Sequence, residues 1–287
     1  MKECVLYKKE GNNVRCQACA HECLISKDKT GICGVRKNIN GKLYLLVYGK
    51  VAAKHIDPIE KKPLYHFLPK TFSYSIGTFG CNFRCDWCQN YDIAQFRGFY
   101  DKILGEEITS KKIVEEAIEN KCESISYTYN EPVIFIEFVK DTAKIAKKKK
   151  LKNIMVTNGY FTKESLDFIS DYIDAMNIDL KSFSDALYKK YCGAKLQPVL
   201  DTIKRAHKKG IWIEITTLII PGLNDSEKEL EQIAKFISDI DKNIPWHISR
   251  FFPHYKMTDK PVTPIQTLEK AEKIGKKYLK YVYLGNV

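Results

Sequence analysis

The sequence predicts an α/β protein made of repeated strand–helix units behind a small cysteine-rich hairpin unit. Three observations predict it. From Phe72 onward, short runs rich in β-branched and aromatic residues alternate with longer amphipathic runs, the mark of repeated βα units. Before that point lie four closely spaced cysteines and an Asn-Gly hairpin signal. At 287 residues the chain is long enough for one large domain with its own core plus a small appendage. The expected division is 1–70 for the cysteine-rich cap and 71–287 for the βα domain.

Cys16, Cys19, Cys23 and Cys33 fall at spacing C-x2-C-x3-C-x9-C, ahead of Gly34-Val35-Arg36. Four such thiols can close a Zn2+ site, and four also satisfy an iron–sulfur cube, so a structural metal site is expected without a choice of metal. Free thiols or a disulfide pair are the ordinary alternative. Cys4 stands outside the spacing, and His21 and Glu22 inside the loop are expected to be solvated. Lys37 to Tyr48 reads as a hairpin turning at Asn40-Gly41, which supplies the φ > 0 residues of a tight turn. Residues 53–67, with two prolines and little periodicity, read as a connector lying across the main domain.

Strands are then expected over Phe72 to Ile76, Ser124 to Tyr127, Asn153 to Thr157, Ala175 to Leu180, Ile211 to Leu218 and Trp246 to Phe251, with Tyr281 to Leu284 closing the chain. Helices are expected near 110–120, 132–149, 163–171, 198–209, 226–240 and 264–279. Thr263 is placed to cap the last helix ahead of Pro264, and Gly210 to stop an earlier one after Lys208 and Lys209. Six βα units are too few for an eight-stranded barrel.

The formal net charge of +12 raises the question of nucleic acid. Only six of the 47 basic residues are Arg, and the lysines are spread along the chain. Phosphate readers lean on the bidentate fork of Arg, whereas Lys and Glu enrichment matches a heat-adapted, solvated surface. Nucleic acid is therefore disfavoured, with a basic RNA- or protein-docking patch as the minor alternative. No apolar run approaches the ~18 residues of a membrane span, so no membrane partner is expected and the cytoplasm is the expected compartment. Ten cysteines, seven of them in two clusters of metal-ligand spacing, fit a reducing compartment.

The strongest motif follows the first of these strands, where Gly77 to Asn90 holds Cys81, Cys85 and Cys88 at spacing C-x3-C-x2-C. Three thiolates in so short a loop fit one [4Fe-4S] cube and leave its fourth iron free of protein. A zinc site, which wants a fourth ligand, and three ordinary buried thiols are the alternatives. In parallel barrels the working groups sit at the C-terminal ends of strands. That rule singles out Asn130-Glu131-Pro132, then Thr157-Asn158-Gly159, then Asn177, Asp179 and Lys181 on one strand face. Thr157 or Asn158 can hydrogen-bond a polar ligand, while Pro132 equally suits a helix start. Asp179 and Lys181 are costly inside unless a ligand or each other satisfies them. On the sixth strand His247 and Arg250 have opposite parity, and Arg250 is expected to face inward as a carboxylate or substrate contact. Cys122 and Cys192 read as inert thiols, Cys192 being notable because it follows a candidate site strand.

The Cys81-Cys85-Cys88 loop, with Trp87 before its last Cys, resembles the signature of the radical S-adenosylmethionine (SAM) superfamily. Taken with the N-terminal cysteine spacing, Tyr127 to Pro132, Trp246 to Phe251 and Tyr281 to Asn286, the chain resembles the AmmeMemoRadiSam-system radical SAM enzymes, relatives of pyruvate formate-lyase activating enzyme. The resemblance implies a partial (β/α)6 TIM-like barrel. It implies a [4Fe-4S] cluster on Cys81, Cys85 and Cys88, and S-adenosyl-L-methionine held by Trp87, Asn130, Glu131, Thr157, Asn158, Asp179, Lys181 and Arg250. Asn130 stands where the family has a glycine. The implied reaction takes an electron from a donor such as ferredoxin or flavodoxin, cleaves SAM to a 5′-deoxyadenosyl radical, and abstracts hydrogen from a protein or peptide, with Memo-like proteins as candidate partners. RNA modification is the second enzymatic reading, and a non-catalytic iron–sulfur or zinc scaffold the third.

Overall fold

The computed structural model describes residues 1–95 and 105–287. At its centre is an eight-stranded sheet of β1 (Ala53–Pro58), β2 (Phe72–Gly77), β3 (Ser124–Tyr127), β4 (Lys152–Thr157), β5 (Ala175–Asp179), β6 (Trp212–Ile219), β7 (Trp246–Arg250) and β8 (Val282–Gly285). The strands lie side by side in chain order. From β2 to β8 every pairing is parallel, and β1 runs antiparallel to β2 at the edge. Parallel neighbours need a crossover between them. Here α1 (Ser110–Glu119), α2 (Ile136–Lys148), α3 (Lys163–Ile169), α4 (Gln197–Lys208), α5 (Glu227–Ile240) and α6 (Ile265–Gly275) supply one each. The central parallel sheet is what the alternating sequence pattern predicts.

The connector expected over 53–67 is in part a strand. Pro58 and mixed polarity obscure β1, and an edge strand is the place where a proline's missing N–H is tolerated. Residues 59–67 do cross the sheet, where the buried Glu214 carboxylate accepts from Tyr65 N (3.0 Å) and His66 N (2.9 Å), and Asn177 Nδ2 donates to Pro63 O (2.8 Å).

Local chemistry sets the element ends. Ser226 caps α5 by accepting from Glu229 N, and Gly210 ends α4 at φ +75°. Thr263 does not cap α6 as expected. Its buried hydroxyl donates to Ile219 O (2.6 Å) and accepts from Phe251 N (3.1 Å), joining the ends of β6 and β7, which leaves α6 without a side-chain cap. The fit of α6 on the sheet is close: a Cβ on Gly275 would stand 2.9 Å from the buried Trp246 ring.

Before β1 the chain forms small antiparallel sheets packed on this frame. Arg36–Ile39 and Lys42–Leu45 pair across a turn in which Asn40 and Gly41 both have positive φ. A second sheet joins Tyr7–Glu10, Asn13–Cys16 and Leu24–Ile25. The fully buried Arg36 fastens this region to the main domain, donating to Ile134 O (2.8 Å) and pairing with Glu137 on α2 (2.5 Å). No helix among the described residues is long and apolar enough to cross a membrane.

Candidate active site

The C-terminal ends of the parallel strands open on one cavity of about 820 Å³. It is within the ~300–1,000 Å³ range of small-molecule sites. Cys81, Cys85, Trp87 and Cys88 reach it from the loop after β2, Asn130 and Glu131 from the exit of β3, Thr157 and Asn158 from β4, and Asp179 and Lys181 from β5. These are ten of the expected site residues, drawn from four strand ends.

The cysteine loop is held from both sides. Asn130 Nδ2 donates to Thr78 Oγ1 (3.0 Å) and Gly80 O (2.9 Å), and its Oδ1 accepts from Thr78 N (3.0 Å). Asn130 thereby spends both its donors on loop shape. Asn158 Nδ2 donates to Asn82 Oδ1 (2.8 Å), and Arg84 Nη1 folds back onto Cys81 O (2.7 Å) and Phe83 O (2.8 Å). From the other side, Arg84 Nη2 donates to Ile32 O and His21 Nε2 bonds Asn82 O (2.9 Å). His21 is therefore half-buried against the loop, not solvated as expected, while Glu22 is exposed. Gly80, at φ +89°, has no room for a side chain: a Cβ there would meet Cys33 O at 2.5 Å.

Glu131 ties the exits of β3 and β4 together. Its carboxylate accepts from Val133 N (3.0 Å), Thr157 Oγ1 (2.7 Å) and Asn158 N (2.8 Å). Burial nonetheless pushes this carboxyl up to about 7, the three donors holding it from rising further. Asp179 and Lys181 pair at 2.9 Å, and the pair keeps the Lys181 ammonium charged despite burial. Among the thiols, burial pushes Cys81 and Cys88 up, whereas the neighbouring Cys192 thiol and the Lys181 charge bring Cys85 down.

Arg250 corrects the expectation made for it. Its Nε donates to Thr263 O (2.8 Å) and its guanidinium lies over Phe252, while His247 and Ser249 line the cavity. The parity argument holds, but the inward residue is His247, whose ring bonds Glu214 at 2.7 Å on the neighbouring β6. Sequence reasoning also missed Asp57, Lys62 and Tyr129. Asp57 accepts from Lys62 Nζ and Tyr129 OH, both at 2.6 Å, and all three line the cavity. Burial would raise Asp57, but those two donors hold it well below the usual carboxylate range. Their only sequence signal is an acidic residue in an edge strand whose partner Tyr129 is far along the chain.

Cys16, Cys19, Cys23 and Cys33 line a second, small cavity with Arg36 and Ile134. Among the described residues no three His, Cys, Asp or Glu side chains converge closely enough to hold a single ion. A cube makes no such demand, since each thiolate takes its own iron. The donor set of the main loop fits that group in a further way: the buried Asn82 Nδ2 and Arg84 Nε have no partner within the protein. Buried N–H groups require acceptors, and the inorganic sulfides of a cube are acceptors.

Comparison with known proteins bears on the same residues. The family model described as the radical SAM superfamily matches residues 75–237, from β2 into α5. An uncharacterised protein of Methanocaldococcus jannaschii is 49% identical over 290 residues, covering 100% of this chain and 86% of that protein. The pyruvate formate-lyase-activating enzyme of Clostridium pasteurianum is 25% identical over 215 residues, covering 70% of this chain and 87% of that enzyme. In fold, the chain is similar to Streptococcus suis SuiB bound to the precursor peptide SuiA, with TM-score 0.57 and 14% identity over 79% of this chain and 51% of that one. Since the match takes in the cysteine loop and the strand ends that face it, the chain belongs to the radical SAM superfamily and is related within it to the pyruvate formate-lyase activating enzymes.

Proposed function

We propose that this radical SAM enzyme abstracts hydrogen from a protein or peptide substrate, as an activase or a modifier of the AmmeMemoRadiSam type. The observation that carries the reading is that Cys81, Cys85 and Cys88 face the same cavity as Glu131, Asn158, Asp179 and Lys181. A [4Fe-4S] cluster with bound SAM, which the family implies, would supply the one-electron chemistry that cleaves SAM. In this reading the three thiolates are the cluster's ligands. Asn130, Asn158 and Arg84 keep the loop that presents them in shape. Trp87, Glu131, Thr157, Asp179 and Lys181 orient SAM, the last two as a preformed charge pair for an amino acid's own charges. Strands β2 to β8 and their six helices act as a partial (β/α)6 barrel, with 71–287 as the catalytic unit and 1–70, whose β1 extends the sheet edge, as its cap. On the remaining cavity wall, Asp57, Lys62 and Tyr129 face the substrate.

The kinship to activating enzymes and the likeness to a peptide-bound neighbour support a polypeptide substrate. An external one-electron donor such as ferredoxin or flavodoxin and a Memo-like protein are the partners of this reading. Cys16, Cys19, Cys23 and Cys33 are a second metal set, for another iron–sulfur cluster, or for zinc if the thiols draw closer together on binding it, and metal analysis of a Cys81/Cys85/Cys88→Ala variant decides which. The reading is tested by anaerobic reconstitution. Dithionite-dependent release of 5′-deoxyadenosine is expected, with deuterium entering it from a labelled substrate protein. A full cluster that releases none would overturn the proposal, and deuterium arriving from a labelled RNA instead would replace the substrate class.

A further inference from the structure

Tyr129, at the exit of β3, is held in a conformation that its own side chain disfavours. Its φ of +68° lies in the left-handed region, where a bulky residue is a genuine outlier. Asn130 N donates to Thr128 O (2.9 Å), so the three residues close a γ-turn with Tyr129 at its centre. With a positive central φ, such a turn is the rare and strained kind. Glycine takes this conformation freely, whereas an aromatic residue keeps it only where its surroundings over-determine it. Here they do. Tyr129 OH donates to Asp57 Oδ2 on the edge strand β1 (2.6 Å), and Lys62 Nζ donates to the same oxygen (2.6 Å) while lying 4.8 Å from the centre of the Tyr129 ring. Asp57 and Lys62 are both buried. The backbone is gripped as well: Asn90 Nδ2, beyond the last cysteine of the loop, donates to Tyr129 O (2.8 Å), and Gly77 at the end of β2 lies so near that a Cβ on it would meet Thr128 O at 2.8 Å.

The two residues that follow are the ones on which the site is built. Asn130 holds Thr78 and Gly80 of the cysteine loop, and Glu131 joins the exits of β3 and β4 through Thr157 and Asn158. Both start from where the turn leaves them. We propose that Tyr129 is a positioning residue: its hydroxyl, anchored on the Asp57–Lys62 pair, keeps the strained turn closed and so sets the place of Asn130 and Glu131 for SAM. The inference rests on the SAM reading given above and extends it to β1 and the segment behind it. Without the anchor, the preference of Tyr129 for an ordinary φ is opposed by fewer contacts, and the turn opens more often. Asn130 and Glu131 then lose their fixed starting point.

The test uses the full chain, reconstituted anaerobically with iron and sulfide, as wild type, Tyr129→Phe, Asp57→Asn, Tyr129→Gly and the Tyr129→Gly/Asp57→Asn double variant. Two quantities are read: SAM affinity by anaerobic equilibrium dialysis, and hydrogen exchange at the Asn130 amide, which needs no cluster. Tyr129→Phe keeps the ring and removes only the anchoring oxygen. It is expected to weaken SAM binding about tenfold, the scale of one hydrogen bond to a charged group, and to speed Asn130 exchange. Asp57→Asn is expected to do the same, but to add nothing in the Tyr129→Gly background, where the turn needs no anchor. A Tyr129→Phe chain that binds SAM like wild type would overturn the inference, whether or not its exchange is faster, since a purely structural role moves exchange alone. So would an Asp57→Asn effect of equal size in both backgrounds, which would mean that the Asp57 charge acts on the ligand directly. Should a variant load no iron, exchange in the unloaded chain decides: a faster Asn130 amide supports the anchor and an unchanged one overturns it. A wild type that carries a full cluster and binds no SAM would instead sink the reading on which the inference stands.

Discussion

Glu131 is a buried carboxyl that the fold surrounds with three donors yet leaves without a cation, and its titration follows from that. Burial raises it from an ordinary 4.5 to about 7. A carboxyl whose folded value is raised binds its proton more tightly in the native state. It therefore favours folding below the unfolded value, and that contribution is lost as pH rises through the folded one. The predicted loss falls between about pH 4.5 and 7 and amounts to about 3 kcal/mol. Urea unfolding of wild type and Glu131→Gln across pH 5 to 8 isolates it, because the other titrating groups are common to both. Wild type is expected to lose stability relative to the variant as pH rises. Parallel profiles would mean that the carboxyl stays ionised throughout.

At the scale of elements, the decisive contact is that between the cysteine loop and the N-terminal cysteine-rich segment that holds Cys33. Gly80 is its tightest point, because its φ of +89° and the 2.5 Å at which a Cβ there would meet Cys33 O each exclude a side chain. Gly80→Ala is expected to strain the backbone by ~1–3 kcal/mol and to lower the melting temperature by roughly 5 °C. Iron uptake on reconstitution should fall with it, and a variant that melts and loads like wild type would show that the two elements are not mechanically joined. The same comparison of elements shows what the sequence could convey. Every strand from β2 to β8 and every crossover helix was legible, because alternation and amphipathic period are local signals. So was the cysteine loop, whose spacing is itself the chemistry. What escaped depends on partners distant in sequence. His247 turns inward because Glu214 waits on the adjacent strand, and Thr263 abandons its cap because two strand ends need its hydroxyl. Edge strand β1 escaped for a different reason, since one exposed side and Pro58 erase the alternation by which strands are recognised.

For the molecule as a whole, the open question is what a surface with a net charge of +12 does when few of its cations are built for phosphate. Many lysines are already engaged with carboxylates on the surface, as in Lys54 with Glu106, Lys163 with Asp167 and Lys209 with Asp167. Exposed pairs of this kind contribute little stability each. Their excess of positive charge still generates a long-range field, and such fields raise the encounter rate of an oppositely charged partner. An acidic one-electron donor is the partner that this field would favour. Its rate of cluster reduction is expected to fall about tenfold between roughly 0.05 and 0.3 M salt, over which the screening length drops from about 14 to 6 Å. Reduction by dithionite, a small dianion that needs no docking, should change far less. Stopped-flow measurements of both reductants on one preparation compare them directly. If the protein donor proves no more sensitive to salt than dithionite, the lysine-rich surface serves solvation alone and electron delivery is guided by contact after collision.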